Sequence, residues 1–446
     1  MLRGVDSRMS DGSVIGAARD APVDIKPREI DACVRFLEAL FDGIDARHLA
    51  VRLWDGREWR PDDAEDVRAT VVLSHPGALK EMFWPPGDLS AGEAFVFGDY
   101  DIEGDVEYVC TVADRLFSKQ KEIKHLLVLS AMLLRLPSGS GRSGEAVGRK
   151  AARVAGRLHS KERDSQAIRY HYDVGNDFYA LWLDEEMTYS CGYFRDESFD
   201  IHAAQKAKYE HTLRKLCLEP GERLLDIGCG WGGLVRHAER ERGVEAVGIT
   251  LSPAQAEFAR ARGARVELMD YREAHTLGTF DKIVSIGMFE HVGLERLREY
   301  FEQAYRLLKP GGLFLNHGIA TSQVKRRWRR RRSFTQKYVF PDGELVPISK
   351  VLLVAEEVGF EVRDVESLRE HYAMTLRHWV SRLEARREEA VRLTNEETYR
   401  VWRLYMAGSA AGFDSGRLNV YQSLLHKPTG GPSGLPLTRE HVYAGC

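Results

Sequence analysis

No run in this 446-residue chain is long enough to cross a bilayer. The longest apolar stretch, His125 to Leu136, falls far short of the roughly 18 residues that a spanning helix needs. Cysteine is scarce: Cys33, Cys110, Cys191, Cys217, Cys229 and Cys446 are scattered with neither disulfide-framework nor zinc-ligand spacing. A reduced compartment and no metal site are the expectation. The start, Met1 to Asp20, lacks an apolar core of the signal-peptide kind, so the expected location is cytoplasmic. A surplus of either charge is also missing. Lys and Arg total 64 against 67 Asp and Glu, a net charge of −3, which argues against a dedicated nucleic-acid binder.

What is present is an ordinary globular composition, 43% hydrophobic, in a chain too long for one core; two or three domains are expected. Residues 1–27 are polar and aperiodic, a disordered tail by composition. Residues 28–136 read as a small α+β unit. Helical spacing covers Ile30–Leu40, strand-like runs follow at Leu49–Trp54 and Thr70–Leu73, and a helix lies near Val106–Phe117. A second helix over Lys119–Leu136 clusters Leu126, Leu127, Leu129, Met132 and Leu133, a stripe that either packs on a core or docks on a membrane or partner. Residues 137–165 form a flexible basic linker. There Arg149, Lys150, Arg153, Arg157, Lys161 and Arg163 make either a solvated face or a surface for anionic phosphates. Residues 166–427 have the character of a catalytic unit, and the Gly/Pro-rich tail 428–446 is expected to be disordered.

From Gln166 strands alternate with helices. The order is helix His202–Leu216, strand Arg223–Ile227, helix Gly233–Glu241, strand Glu245–Ile249, helix Pro253–Arg262 and strand Arg265–Met269. Strand Lys282–Ile286, helix Leu294–Leu308 and strand Gly312–His317 follow. A helix from Ser349, a strand near Phe360–Asp364 and helix over Met374–Ala411 close the pattern, the last anchored by Trp379, Leu383, Val401, Trp402 and Tyr405. The fold class is α/β, a Rossmann-like doubly wound parallel sheet with helical insertions, which places ligands at the strands' carboxyl ends.

The hub is Arg223-Leu-Leu-Asp-Ile-Gly-Cys-Gly-Trp-Gly-Gly233. Gly228, Gly230 and Gly233 fit G-x-G-x-x-G, a pattern shared by dinucleotide loops and by some structural turns. A dinucleotide fold wants an acid at the end of the second strand, and Val247-Gly-Ile-Thr-Leu-Ser252 has none. Asp226 ends the first strand instead, where it would repel a pyrophosphate but suits a cationic ligand such as the sulfonium of S-adenosylmethionine (SAM). Asp270 ends the third strand, and Leu308-Lys-Pro-Gly-Gly312 precedes the fifth. The set resembles the class I methyltransferases.

Four further blocks narrow the resemblance: Tyr170-His-Tyr-Asp-Val-Gly-Asn-Asp-Phe-Tyr179, Met187-Thr-Tyr-Ser-Cys-Gly-Tyr-Phe194, Gly287-Met-Phe-Glu-His-Val-Gly293 and Lys337-Tyr-Val-Phe-Pro-Asp-Gly343. From Ala167 to His426 the chain resembles cyclopropane-fatty-acyl-phospholipid synthases and mycolic acid cyclopropane synthases; residues 28–136 resemble, more loosely, their lipid-associated domain. The resemblance implies methylene transfer from SAM to the cis double bond of a phospholipid acyl chain at an anionic membrane surface. It also implies a homodimer placed peripherally at the inner membrane surface. An alkene is a poor nucleophile and its attack leaves a carbocation, so the site must be dry and aromatic-lined. In the family a bound bicarbonate ion is thought to take the proton whose loss closes the ring.

Carried over motif by motif, the bicarbonate ligands would be Cys191, Glu290, His317, Ile319 through its backbone, and Tyr372. Each has a plainer reading: a small core cysteine, a strand-end histidine, a helix-capping glutamate. Glu290 beside an anion points to a shared proton. For the cofactor the same carry-over gives Tyr172 and Ser190, Asp226, then Gly228, Gly230 and Gly232 at the methionine part. Thr250, Leu251 and Gln255 would hold the ribose, with Asp270 and Tyr271 near the adenine.

The chain departs from the family twice. Ser409 stands where relatives carry a cysteine once proposed as catalytic, and we read the position as structural. Lys325 to Arg332 places seven cations in eight residues on one loop, either solvated or meeting anionic lipid. Two alternatives stay open: simple C-methylation of the chain, giving a methyl or methylene branch, and a lipid-binding homologue without catalysis.

Overall fold

The structure, a computed structural model, describes residues 27–118, 123–139, 151–152, 154–172, 174–321 and 332–443. The tail 1–26, Arg149, Lys150 and Arg153 of the basic linker, and Lys325–Arg331 of the basic loop lie outside the described residues.

The N-terminal unit is built on a four-stranded sheet. Its strands are β1 (Leu49–Arg52), β2 (Glu58–Trp59), β3 (Ala69–Leu73) and β4 (Tyr100–Gly104), in the order β2-β1-β3-β4. Helix Pro27–Phe41 covers it, burying Ile30, Cys33, Phe36, Leu37 and Leu40 at the spacing of one helical face.

The catalytic unit is a seven-stranded sheet of β5 (Arg223–Ile227), β6 (Glu245–Thr250), β7 (Val266–Leu268), β8 (Phe280–Ile286), β9 (Leu308–Thr321), β10 (Glu361–Ser367) and β11 (Leu418–His426). The order is β10-β11-β9-β8-β5-β6-β7, with β5 to β9 parallel and β11 antiparallel to both its neighbours. The chain leaves β5 toward β6 and returns past it to β8, so the crevice outside the ends of β5 and β8 is the switch point where ligands bind in such sheets.

Strand β11 is absent from the sequence reading, and the reason is physical. It is a central strand covered on both faces, with Gln422 and Ser423 buried among leucines, so no alternation marks it. Its neighbour β10 alternates at the sheet edge and is legible. The long helix expected over Met374–Ala411 is three: Arg369–Ala385, Arg387–Leu393 and Glu396–Asp414. The last restarts at Asn395, whose side chain accepts the Thr398 N–H at 2.8 Å as an N-cap.

Helix Glu396–Asp414 is the wall shared by both units. Its Trp402, Met406 and Phe413 belong to one continuous core that includes Phe36, Phe95 and Val112 on one side and Phe178, Trp182 and Trp379 on the other. Arg400 donates to the carbonyls of Phe95 and Tyr100 and pairs with Asp101 at 2.7 Å. Arg403 reaches the Ile102 carbonyl and Glu384.

Two expectations need correction. The C-terminal segment packs on the sheet edge: Val442 is buried, Arg439 pairs with Asp364 at 2.5 Å, and the Tyr443 hydroxyl reaches Glu366. In the basic linker, Arg163 is held bidentately by Asp342 and Lys161 pairs with Glu273, so both face protein carboxylates. The Lys119–Leu136 helix, observed as Ile123–Arg135, has two apolar faces. Leu133 and Leu136 are buried, while Leu126, Leu127, Val128 and Leu134 are at least half exposed.

Candidate active site

One cavity opens at the carboxyl ends of β5, β6 and β8. Tyr172, Ser190, Asp226, Gly228, Gly230, Thr250, Leu251, Gln255, Asp270 and Tyr271 all line it. Gly232 does not. It sits at φ +77 behind the turn, where a Cβ would come within 2.9 Å of the Ala264 Cβ, so it packs the loop against the C-terminal end of helix Pro253–Ala261 and the turn after it. Gly230, at φ +54, has no atom of the described residues beyond its chain neighbours within 4 Å of where its Cβ would stand. Its backbone is thus bare toward the cavity, the shape a close-approaching ligand requires.

Polar groups along the cavity are arranged in pairs. Thr250 Oγ1 donates to Gln255 Oε1 at 2.8 Å, and Gln255 also meets the Tyr172 hydroxyl. Asp270 is clamped by Arg272, which donates Nε at 2.7 Å and Nη2 at 2.6 Å, and Nη2 also reaches Asp164 at 3.1 Å. Tyr271 packs edge-on against Tyr300. Ser190 Oγ accepts from Lys208 Nζ at 2.9 Å. Burial pushes Asp226 up to about 7, against the pull of the Lys208 charge, and pushes Lys208 down to about 8.

Sequence reasoning missed Lys208, Trp231, Asp164 and Arg272, which line the same cavity. A signal for Lys208 existed. Helix Ile201–Lys215 buries Ala204, Lys208, His211 and Lys215 on one face, so cations occupy positions where apolar residues belong.

The five residues expected to hold an anion are not cavity-lining; Glu290 meets Ile319, and Tyr372 lies within electrostatic reach of Cys191 and Glu290. The short turn Phe289–His291 points Met288 and His291 into the cavity, while Glu290 meets β9. Glu290 Oε1 accepts the Ile319 N–H at 2.7 Å, and Oε2 is buried with no partner among the described residues. Desolvation raises Glu290 to about 7. His317 shares a hydrogen bond with Gln422 through Nδ1 at 3.3 Å, leaving Nε2 buried with no partner among the described residues; burial holds it neutral, down to about 3. Gln422 was missed because β11 was missed: the register places it directly opposite His317.

Tyr372 lies within electrostatic reach of Cys191, Glu290 and Tyr172, and burial raises its hydroxyl well above the ordinary value. The Cys191 thiol, likewise raised by burial, donates to the Gly192 carbonyl at 3.2 Å. Gly318 is bare because the Phe289 ring lies where its Cβ would be.

Aromatic rings wall this side. Tyr189 packs against Trp379 at 5.3 Å and Trp182 at 5.5 Å, Tyr179 against Trp402 at 5.4 Å, and Tyr172 against Trp231 at 5.8 Å. Ser409 bonds to the Tyr405 hydroxyl, which also meets Tyr189. The arrangement can bind a ligand carrying charge in the cavity and confine an uncharged one beside it, away from water.

The family profile for mycolic acid cyclopropane synthetase matches residues 159–423. A "Probable fatty acid methyltransferase" of Pseudomonas putida is 39% identical over 424 residues, 91% of this chain and all of that one. A "Probable fatty acid methyltransferase" of Mycobacterium tuberculosis is 37% identical over 415 residues, covering 89% of this chain and 96% of the relative. Among solved structures, a mycolic acid cyclopropane synthase complexed with SAH and CTAB is 36% identical with a TM-score of 0.56; it covers 59% of this chain and 98% of its own. This chain therefore belongs to the mycolic acid cyclopropane synthetase family and is a SAM-dependent methyltransferase of the class I fold.

Proposed function

We propose that this enzyme transfers a methylene group from SAM to the cis double bond of unsaturated acyl chains in phospholipids, forming cyclopropane fatty acids. The observation that carries this reading is two buried polar atoms without a partner among the described residues, Glu290 Oε2 and His317 Nε2, neither of which lines the cavity itself. SAM, when bound, supplies an electrophilic methyl on a sulfonium. Bicarbonate, when bound, supplies a base that is not a side chain.

The residues present fit both groups. Neutral His317 donates through Nε2 when Nδ1 accepts from Gln422, and Glu290, raised to about 7, retains a proton to share near neutrality. Cys191 and Tyr372, both kept protonated by burial, add donors without charge. The ring faces of Tyr172, Tyr189 and Trp231 favour a developing cation and offer it no nucleophile. What these residues do is hold, orient and exclude water.

An acyl substrate of this kind is reached at a bilayer. The exposed leucines of helix Ile123–Arg135 would enter an anionic surface, with Lys119, Lys121 and Lys124 just before them in sequence. This surface would make the protein peripheral, and among the described residues no helix is long and apolar enough to cross a membrane. A homodimer belongs to the same reading and is checked by light scattering.

A second reading is favoured by the relatives' names: C-methylation giving a methyl or methylene branch. Both products come from one cation and differ in which proton leaves it. Incubation with SAM and vesicles of unsaturated phospholipid, followed by gas chromatography and proton NMR of the released fatty acids, separates them. Upfield cyclopropyl protons support the first reading, and olefinic branch protons the second. Unchanged lipid would leave a lipid-binding homologue without catalysis.

A further inference from the structure

A buried polar layer runs inward from the sheet edge to His317. In register, Glu366 on β10 stands opposite Gln422 on β11, and Gln422 stands opposite His317 on β9. Directly opposed residues share a face, so all three lie on one side of the sheet. Edge strand β10 is inverted there: Asp364 and Glu366 are partly buried, while Val365 between them is 36% exposed. Helix Ile201–Lys215 supplies their partners from its buried face, with Lys215 1% and His211 3% exposed. Glu366 Oε2 accepts from His211 Nε2 at 2.6 Å and from Lys215 Nζ at 2.5 Å, and Lys215 also reaches Asp364 at 3.3 Å. Arg439 and Tyr443 close the outer end on Asp364 and Glu366. At the inner end Gln422 Nε2 lies 3.3 Å from His317 Nδ1.

Apolar side chains would fill such a layer at lower cost, because every charge in it is desolvated. Inward-pointing charges blunt a sheet edge, but that need ends at β10. It does not account for Gln422, fully buried on a central strand, or for His317 beyond it. We infer that the layer positions His317, with Gln422 as the positioning residue: its amide N–H, donated to Nδ1, holds the ring in the tautomer that carries its proton on Nε2. A neutral imidazole has one donor nitrogen, and the partner of the other nitrogen decides which one it is. The opposite tautomer would present a lone pair to an anion where a donor is needed. Strand β11 is paired on both sides, and Glu366, pinned by His211 and Lys215, holds β10 in register with it. A slip of one residue would turn Gln422 to the other face, and the pairing prevents it. The use made of the Nε2 proton rests on the reading in which His317 holds an anion; the tautomer does not.

The test is nitrogen NMR of the full chain labelled at histidine, with the His317 signals identified by their loss in His317→Gln and the fold of each variant checked by urea unfolding. Wild type should show a bare Nδ1 and a protonated Nε2. Gln422→Met, which keeps the length and removes the donor, should populate both tautomers. Gln422→Glu offers a carboxylate to Nδ1–H and should charge the ring, moving its titration up from about 3 toward neutrality. Lys208, Lys215, Glu366 and His211, the other groups acting on His317, stay in place in both variants. In bicarbonate-depleted buffer, the bicarbonate concentration that half-restores turnover should rise about ten-fold in Gln422→Met, with SAM affinity within about two-fold. A wild-type proton on Nδ1, or a tautomer unmoved by either substitution at Gln422, would overturn the assignment. A tautomer that moves while the bicarbonate requirement does not would uphold the positioning and overturn the anion reading of His317.

Discussion

Asp226 and Glu290 are both buried carboxyls pushed up to about 7 by desolvation, yet they face different company. Asp226 has a lysine pulling it back toward its ionised form and an open cavity before it. Among the described residues no cation acts on Glu290; one backbone N–H from Ile319 is what opposes its protonation besides its own backbone contact. His317, two residues before Ile319 on β9, is held neutral by burial, and Tyr372 and Cys191 are pushed further from ionising. The donor half is thus built to complete a charged ligand, and the acceptor half to stay uncharged. A cation formed on an acyl chain survives where no charged nucleophile and no water is at hand.

Replacing the Glu290 carboxyl is the sharpest way to break this division. Glu290→Gln should lower kcat by about 10²–10⁴ while leaving SAM affinity within about two-fold. Steady-state kinetics with calorimetric SAM titration reads both quantities. A matching loss in SAM affinity would show that the two halves are one electrostatic unit.

The acceptor half should also dominate acid sensitivity. His317 has its folded value depressed from 6.5 to about 3, so its contribution is fully present above pH 6.5 and is lost as pH falls toward 3. For a histidine this buried the loss is roughly 2–4 kcal/mol. His317→Gln should flatten the pH dependence of the urea midpoint across that window. His291, depressed to about 4, would leave a residual slope. An unchanged curve would mean the buried histidine already meets water in the folded state.

In the donor half, Gly230→Ala places a methyl where the cavity is open and the backbone is left-handed. The strain should cost about 1 kcal/mol of stability, and the methyl should weaken SAM about ten-fold. At saturating SAM, kcat should persist, the opposite pattern to Glu290→Gln.

The donor half was the more legible in sequence, and the reason lies in its chemistry. Its ligand contacts come from turns and strand ends, where Gly228, Gly230, Asp226 and Asp270 carry their own local signal. The acceptor half depends on register. Glu290, His317 and Cys191 were placed by matched blocks, but Gln422 came from β11, a doubly buried strand without alternation. Lys208 was missed differently, as a cation placed on the buried face of a helix. The shared wall was hidden too, because arginines such as Arg400 look like surface residues until their carbonyl partners are known.

The smallest expected effect concerns Ser409. Its hydroxyl bonds to Tyr405, which reaches Tyr189 in the aromatic wall, so the position supports the acceptor half without touching the orphaned atoms. Ser409→Cys introduces the residue type that the family resemblance implies here and swaps a strong hydrogen-bonding group for a weak one of similar size. Burial raises the thiols of Cys191 and Cys110, and it would raise this one, so no thiolate forms near neutral pH. Turnover should therefore stay within about two-fold, and stability within about 0.5 kcal/mol. A several-fold gain in kcat, with an added alkaline limb in its pH profile, would mean a thiolate takes part. The acceptor half would then not be the uncharged wall that its other residues make it.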